Sequence, residues 1–135
     1  MKAIIITVFT FMFLSGNSQT YLLPEIGRST LNNVCGIKVG YEYKSAFVEG
    51  SMLTHLDRYN PAYFGGNVGY EVKIGEVGLS PLIGYNYRLI SVDKRSANGW
   101  SCSYGLRLEY KHISFGVSGI SGVSFITLGF KGFLN

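Results

Sequence analysis

Histidine, cysteine, tryptophan and proline are scarce in this chain of 135 residues, with two, two, one and three copies respectively. Neither His55 nor His112 has a Cys, Asp or Glu at metal-ligand spacing, so the sequence predicts no metal and no cofactor. We expect His55 in a loop and His112 in a turn, both solvated. The net charge of +4 is too small and too scattered to predict a nucleic-acid partner.

Long apolar runs are also missing. Lys2 is followed by an apolar run from Ala3 to Leu14 and then by the small and polar residues Ser15 to Gln19. A membrane-spanning helix needs about 20 apolar residues, and a shorter run after a positive start is typical of a secretory signal peptide. We predict a signal peptide over 1–18 and a single domain over 19–135, with a retained N-terminal anchor as the alternative. Any membrane crossing by the remaining chain would use strands.

Glycine and aromatic residues are abundant: the chain has 18 Gly, 10 Tyr and 9 Phe, a composition that suits an all-β protein with tight turns. The clearest strand is Trp100 to Lys111, where Trp, Cys, Tyr and Leu alternate with Ser, Gly and charged residues. Side chains of a strand point alternately to opposite faces, so this segment has one apolar and one polar face. Its length is also close to the roughly 9–11 residues of a tilted transmembrane strand.

Further segments alternate in the same way, namely 33–43, 46–52, 64–74, 77–89, 113–118 and 126–134. The connections are short at 44–45, 75–76 and 111–112, long at 54–62 and 91–99, and four residues at 119–122. Short turns on one side and longer loops on the other are typical of transmembrane barrels. If both termini lie on the short-turn side, the number of strands is even. The weakly alternating segment between Gln19 and Leu31 is therefore expected to supply the first of eight strands.

Charged residues are confined to one face of these seven strands, while the apolar faces contain none. The polar faces carry Lys38, Glu42, Glu49, Glu71, Lys73, Arg88, Arg107, Glu109, Lys111 and Lys131. Two architectures fit this separation: a soluble β-barrel with an apolar core, or a membrane barrel with a polar lumen. The polar faces are otherwise dominated by Gly and Ser, which favours the narrow lumen of an eight-stranded barrel. We predict that the charged residues form an ion-pair network that plugs this lumen.

Aromatic residues are placed near both ends of the predicted strands. With the short turns on the periplasmic side, the set near the inner rim is Tyr41, Tyr43 and Tyr110, and the set near the outer rim is Phe64, Tyr85, Tyr87 and Trp100. Amphipathic rings favour the level of the lipid headgroups, so two girdles are expected of a membrane barrel. A protein core would also accept these rings.

Five motifs carry a family resemblance: Gly-Tyr-Glu-Tyr-Lys at 40–44, Gly-Tyr-Glu-Val-Lys at 69–73, Gly-Tyr-Asn-Tyr-Arg at 84–88, Leu-Glu-Tyr-Lys at 108–111 and Leu-Gly-Phe-Lys-Gly-Phe-Leu-Asn at 128–135. With them the chain resembles the small outer-membrane β-barrel family, the group of the outer-membrane protein A membrane domain and outer-membrane protein X. The resemblance implies an all-β, eight-stranded antiparallel up-and-down transmembrane barrel in the outer membrane of a Gram-negative-type bacterium. Two departures are the ending Phe133-Leu134-Asn135, where members commonly end on an aromatic residue, and Pro81 in mid-strand.

Candidate reactive groups are few. Cys35 and Cys102 would lie on opposite sides of an eight-stranded barrel, too far apart for a disulfide, whereas a β-sandwich could join them. His112 with Ser114 and Glu109 is the one formally available catalytic triad. Serine is common throughout the chain, so this combination predicts no enzyme.

The function predicted from the sequence is structural or recognition-type and non-catalytic. Its partners would be outer-membrane lipid and, through loops 54–62 and 91–99, lipopolysaccharide or a surface partner; Asp93-Lys94-Arg95 in the second loop is the candidate contact. The alternative function is a soluble secreted or periplasmic β-barrel that binds an apolar ligand. That alternative requires the apolar faces of the strands to point inward.

Overall fold

The computed structural model describes residues 18–57, 60–89 and 98–134. The predicted signal peptide, apart from Ser18, lies outside the described residues, as does most of the predicted loop 91–99. No helix within the described ranges is long and apolar enough to cross a membrane.

The described residues form ten strands. They are β1 (Ser18–Ser29), β2 (Asn33–Tyr43), β3 (Ala46–His55), β4 (Ala62–Tyr70), β5 (Val72–Ile74), β6 (Val77–Leu89), β7 (Gly99–Tyr110), β8 (Ile113–Ile120), β9 (Val123–Phe130) and β10 (Gly132–Leu134). Two connections are shorter than the sequence predicts, because β3 continues to His55 and β8 continues to Ile120. The expected wide turn at 119–122 is therefore only Ser121-Gly122, where both residues have positive φ. The strand predicted from Trp100 begins one residue earlier, at Gly99.

The strands form a closed antiparallel barrel. β5 continues β4 and β10 continues β9, so the ten strands form eight continuous lengths of the barrel wall, which we call staves. Each stave pairs with the next, and β1 pairs with both β9 and β10 to close the sheet. The barrel therefore has eight staves, as the sequence predicts. The weakly alternating first segment is β1, and it pairs along its length with β2.

Two prolines explain why two staves are each divided into two strands. Gly69 pairs with Leu82 and Val72 with Leu79, a register that places Pro81 opposite Tyr70. Proline has no N–H to donate, so the ladder is interrupted there. The register of β1 with β9 and β10 places Pro24 opposite Phe130 in the same way. We call these two interrupted pairings, β6 with β4 and β5, and β1 with β9 and β10, the proline seams. They lie on opposite sides of the barrel.

The register fixes the tilt of the staves. A path of paired residues that starts at Gln19 and passes once through every stave returns to β1 at Ser29, ten residues along. A stagger of this size in eight strands corresponds to a tilt of roughly 40° and an interior that side chains can fill. The short turns 44–45, 75–76 and 111–112 lie at one end, the short-turn end. The strand ends that are joined by the other four connections, β1 to β2, β3 to β4, β6 to β7 and β8 to β9, lie at the opposite end, the long-loop end.

Large apolar side chains cover the outside of the barrel. Every stave contributes at least one exposed aliphatic residue to this outer belt, for example Ile26, Val39, Val48, Val68, Ile83, Leu106, Val117 and Leu128. The lumen is polar only in part, which the strand pattern does not predict. At the long-loop end it is filled by an apolar plug of Val34, Leu53, Tyr63, Ile120, Val123 and Phe125. A second apolar cluster of Tyr21, Leu23, Phe47 and Leu82 lies deeper in the lumen.

Candidate functional site

Arg107 is the centre of the charged part of the lumen. Its side chain is 2% exposed, and its Nη1 donates to Glu49 Oε2 at 2.7 Å. Its Nε lies 2.7 Å from Glu109 Oε1, an ion contact without hydrogen-bond alignment. The guanidinium also lies over the Phe47 ring, 4.5 Å from the ring centre. Tyr21 Oη donates to Glu49 Oε2 at 2.6 Å, so Glu49 has two donors on one oxygen.

Lys131 extends this arrangement toward the short-turn end. Its Nζ donates to Glu109 Oε2 and to Glu42 Oε2, both at 2.9 Å. A continuous chain of ion pairs therefore runs from Glu49 through Arg107, Glu109 and Lys131 to Glu42, and it joins four staves. Lys131 is the residue between β9 and β10, where the pairing with β1 is interrupted. Its backbone N–H donates to His112 O at 2.7 Å.

The other predicted lumen residues lie apart from this chain of ion pairs. Lys38 pairs with Glu25 at 3.1 Å, and Glu71 has an ion contact with Lys73 at 3.8 Å. Arg88 pairs in register with Tyr63 near the long-loop end. Lys111 lies in the turn after β7, exposed, with Nζ 5.3 Å from the centre of the Tyr110 ring.

Glu25 is a lumen residue that the sequence analysis missed. It is buried on β1, the strand whose alternation is obscured by Pro24 and by large apolar residues on its inner face. The signal that identifies it is its parity with Tyr21 and Leu23, because residues two apart in a strand share a face.

Glycine makes room for the largest lumen side chains. Tyr21 pairs in register with Gly40, and Phe47 pairs with Gly69. A Cβ added to either glycine would lie 2.2 Å from the facing ring. The Gly residues of the polar faces are thus the counterparts of large residues on the neighbouring strand, which explains why Phe47 can occupy a face that otherwise carries small and charged residues.

A layer of amides and hydroxyls separates the charged region from the apolar plug. Asn86 Nδ2 donates to Ser103 Oγ at 2.7 Å, and Ser103 Oγ donates to Asn67 Oδ1 at 2.9 Å. Asn67 Nδ2 reaches Glu49 Oε1 at 3.3 Å and so connects the two layers. The cavity in this layer is about 20 Å³, the space of a single water molecule.

His55 is buried, so its expected position in a solvated loop is wrong. It is 4% exposed at the end of β3, where its ring lies beside Tyr63 and Phe125 of the apolar plug. Its Nδ1 lies 2.7 Å from Pro61 O, and its Nε2 lies 2.7 Å from Ser29 Oγ. The sequence pattern missed this residue because β3 is three residues longer than the alternating segment 46–52.

The hydrogen-bond partners of His55 place a proton on its Nδ1. A carbonyl oxygen only accepts, so Nδ1 carries the proton that is donated to Pro61 O. Ser29 Oγ accepts from the N–H groups of Leu31 and Asn32 at 3.0 and 3.1 Å, which occupies both of its lone pairs. The single proton of the Ser29 hydroxyl faces two acceptor positions, Asn32 O at 3.1 Å and His55 Nε2 at 2.7 Å. With these contacts Ser29 connects the first loop to the end of β3, and we call this arrangement the Ser29 bracket.

The first two loops at the long-loop end are joined by Asp57. Its carboxylate accepts from Asn32 Nδ2, from Asn60 N at 3.0 Å and from Asn60 Nδ2 at 2.7 Å. This network and the Ser29–His55 contact hold the described parts of the two loops against each other.

The predicted girdle residues lie on the outer face. Trp100 stacks on Tyr85 with ring centres 5.2 Å apart and meets Tyr87 edge-on at 5.3 Å. Phe64 is exposed beside them, paired in register with Tyr87. At the short-turn end, the exposed Tyr110 and the half-buried Tyr41 and Tyr43 also lie on this face.

The remaining candidate groups do not form a site. Cys35 on β2 and Cys102 on β7 are free thiols. His112 stacks on Phe130, with Nδ1 3.0 Å from Lys131 O, whereas Ser114 is buried in the lumen and Glu109 is held by Arg107 and Lys131. Among the residues that the structure describes, no group of three His, Cys, Asp or Glu side chains could hold a metal ion.

Comparison with known proteins gives one informative match. No protein-family model matches the sequence, and no curated protein matches it. Among solved structures, the N-terminal β-barrel domain of Pseudomonas aeruginosa OprF matches with a TM-score of 0.67 and 14% identity, over 86% of this chain and 98% of that domain. The chain has the OprF barrel fold. The predicted resemblance to the small outer-membrane barrels is therefore confirmed in the fold of this OprF-like barrel, and at this identity the match concerns the fold alone.

Proposed function

We propose that this chain is a small outer-membrane β-barrel protein, non-catalytic, with a structural or surface-recognition role. The observation that carries the proposal is the outer belt, to which all eight staves contribute exposed aliphatic residues. Soluble monomers rarely expose a contiguous apolar patch larger than a few hundred Å², and a belt round the whole barrel matches the lipid-facing surface of outer-membrane barrels. The OprF-like fold supports the same location.

The alternative of a soluble barrel with an apolar ligand inside required the apolar faces to point inward. They point outward, and the lumen is occupied by this chain's own side chains. We propose further that the lumen is closed to solutes, with the charged network, the amide layer and the apolar plug in succession along the axis. The 20 Å³ cavity in the amide layer is too small for anything larger than water.

In this proposal the short-turn end faces the periplasm and the long-loop end faces the outside. The outer surface would then present the loops joined by Asp57, together with the segment around Asp93-Lys94-Arg95, to lipopolysaccharide or to a surface partner. The rigid connection between the first two loops supports a recognition role, since a preorganised surface loses less conformational entropy on binding.

Cell fractionation tests the location. The protein is expected in the outer-membrane fraction and should migrate differently on detergent gels with and without boiling, because a closed barrel resists detergent unfolding at room temperature. Recovery from the soluble periplasm, with no mobility difference, would contradict the proposal. A planar-bilayer recording of the refolded protein tests the closed lumen and is expected to show no steady conductance.

A further inference from the structure

A cavity of about 370 Å³ opens at the short-turn end of the lumen, below the ion-pair chain. Its lining includes Glu42, Glu71, Glu109, Lys131 and the Phe133 ring, with Lys73, Glu76 and Lys111 at its mouth. It is large enough for a small organic molecule, in contrast to the 20 Å³ cavity of the amide layer.

The buried charges around this cavity do not balance. The buried cations are Arg107 and Lys131. The carboxylates of the same region are the buried Glu49, Glu71 and Glu109 and the part-buried Glu42. Arg107 and Lys131 are shared among three of these carboxylates. Taking charges out of water is costly unless they are paired. The other cations that line the cavity are Lys73 and Lys111 at its mouth; both are exposed, so a cationic ligand can take their place beside the carboxylates.

Glu71 is the carboxylate without an adequate partner. Its side chain is 9% exposed and lines the cavity, yet its ion contact is 3.8 Å long and leads to Lys73, whose side chain is 73% exposed. No hydrogen bond to the Glu71 carboxylate is found among the described residues. Its Oε1 lies close to Gly78: a Cβ added to that glycine would be 2.2 Å from this oxygen.

The chemistry of the cavity distinguishes between cations. A metal ion requires several oxygen ligands round one point, and the described residues hold no group of three acidic, His or Cys side chains that could provide them. An organic ammonium ion instead needs separate carboxylates and tolerates an aromatic wall, which Phe133 provides. A flexible chain with two ammonium groups matches the excess of two negative charges in this part of the lumen.

We propose that this cavity is a binding site for small organic diamines, with Glu71 as the principal carboxylate ligand and with entry from the short-turn end. Lys73 is then a competitor for Glu71 that the diamine displaces. The proposal concerns the interior of the barrel, so it does not depend on the surface-recognition role.

Putrescine is the probe, titrated calorimetrically into the full barrel refolded in zwitterionic detergent at low salt and neutral pH. Saturable binding at one site is expected for the wild type, and 1,4-butanediol, which has the same chain without charge, should not bind. Glu71→Gln should weaken putrescine binding at least tenfold. Lys73→Gln should strengthen it severalfold, because it removes the competing cation from an exposed position.

Asp57→Asn is the matched control, since it removes the same charge at the opposite end of the barrel and should leave putrescine binding unchanged. A heat-dependent gel shift establishes that each variant is folded, and Lys73→Gln keeps the test decisive if Glu71→Gln does not fold. The proposal is overturned if the wild type does not bind putrescine, if Glu71→Gln and Asp57→Asn bind it equally, or if Lys73→Gln weakens binding. Tighter binding of Mg²⁺ than of putrescine would also overturn it.

Discussion

Arg107 and Glu49 are 58 residues apart in the sequence and 2.7 Å apart inside the barrel, and their pairing connects β7 with β3 across the lumen. Both side chains are almost completely buried, and both have further partners, Glu109 for the arginine and Tyr21 for the glutamate. The pair is therefore an integral part of the interior, and the stability of the barrel should depend on it.

The first prediction is a coupling between these two residues. Removing one partner of a buried ion pair leaves the other charge uncompensated, so Glu49→Gln and Arg107→Gln should each destabilise the barrel by about 3–5 kcal/mol. The double variant should lose less than the sum, with a coupling energy of roughly 1–3 kcal/mol. Urea unfolding in detergent micelles, followed by circular dichroism, measures all three. Strictly additive losses would show that the two side chains do not interact in the folded protein.

The second prediction concerns the glycines that face large rings. Gly40→Val places a side chain against the Tyr21 ring and should destabilise the barrel by about 1–3 kcal/mol, the usual cost of overpacking. Gly50→Val is the control, because an added Cβ on this outward-facing residue meets nothing closer than 4.0 Å. Equal unfolding midpoints for the two variants would contradict the placement of Tyr21 in the lumen.

The third prediction tests the Ser29 bracket. Ser29→Ala removes the acceptor of two backbone N–H groups and a hydrogen-bond partner of His55, and leaving buried polar groups unpaired costs about 1–3 kcal/mol. Amide hydrogen exchange should accelerate at Leu31 and Asn32 more than elsewhere. Ser124→Ala, an exposed position at the same end, should leave exchange at these amides unchanged. If both variants behave alike, Ser29 does not hold the loop.

The fourth prediction tests the lipid-facing belt. Leu106→Arg, on the outer face of β7 away from either rim, should lower stability in lipid vesicles by roughly 2–4 kcal/mol, whereas Thr54→Arg, near the long-loop rim, should cost less than about 1 kcal/mol. Ser103→Thr, in the lumen, keeps the hydroxyl and should be tolerated. Reversible unfolding from vesicles gives the energies, and equal costs for the two arginines would mean that the belt does not face the hydrocarbon core.

Strand periodicity is sufficient to predict the eight-stranded antiparallel barrel, because alternation reports directly on which face of a strand is apolar. It fails at β1, where Tyr21 and Leu23 point into the lumen and Pro24 points outward, so that both faces contain apolar residues. No local pattern separates a lumen-facing from a lipid-facing leucine. The distinction depends on a small residue across the strand, such as Gly40 opposite Tyr21, and thus on register.

The charged network could be predicted only as a set of residue types on one face. Which charges meet depends on the stagger of the closed barrel, and this stagger brings Arg107 to Glu49 rather than to a neighbour in sequence. The apolar plug and the burial of His55 were also beyond prediction from periodicity. Both arise at the long-loop end, mostly where strands continue past their clear alternation. The lumen there is filled by apolar side chains instead of charged ones.

The two proline seams described above have a mechanical consequence. They divide the wall into two panels of four staves, one from β1 to β5 and the other from β6 to β10, with a weakened edge on each side. The ion pairs Arg107–Glu49 and Lys131–Glu42 each have their cation on the second panel and their carboxylate on the first. These buried ion pairs therefore connect the two panels across the lumen and compensate for the weaker backbone hydrogen bonding where the panels meet.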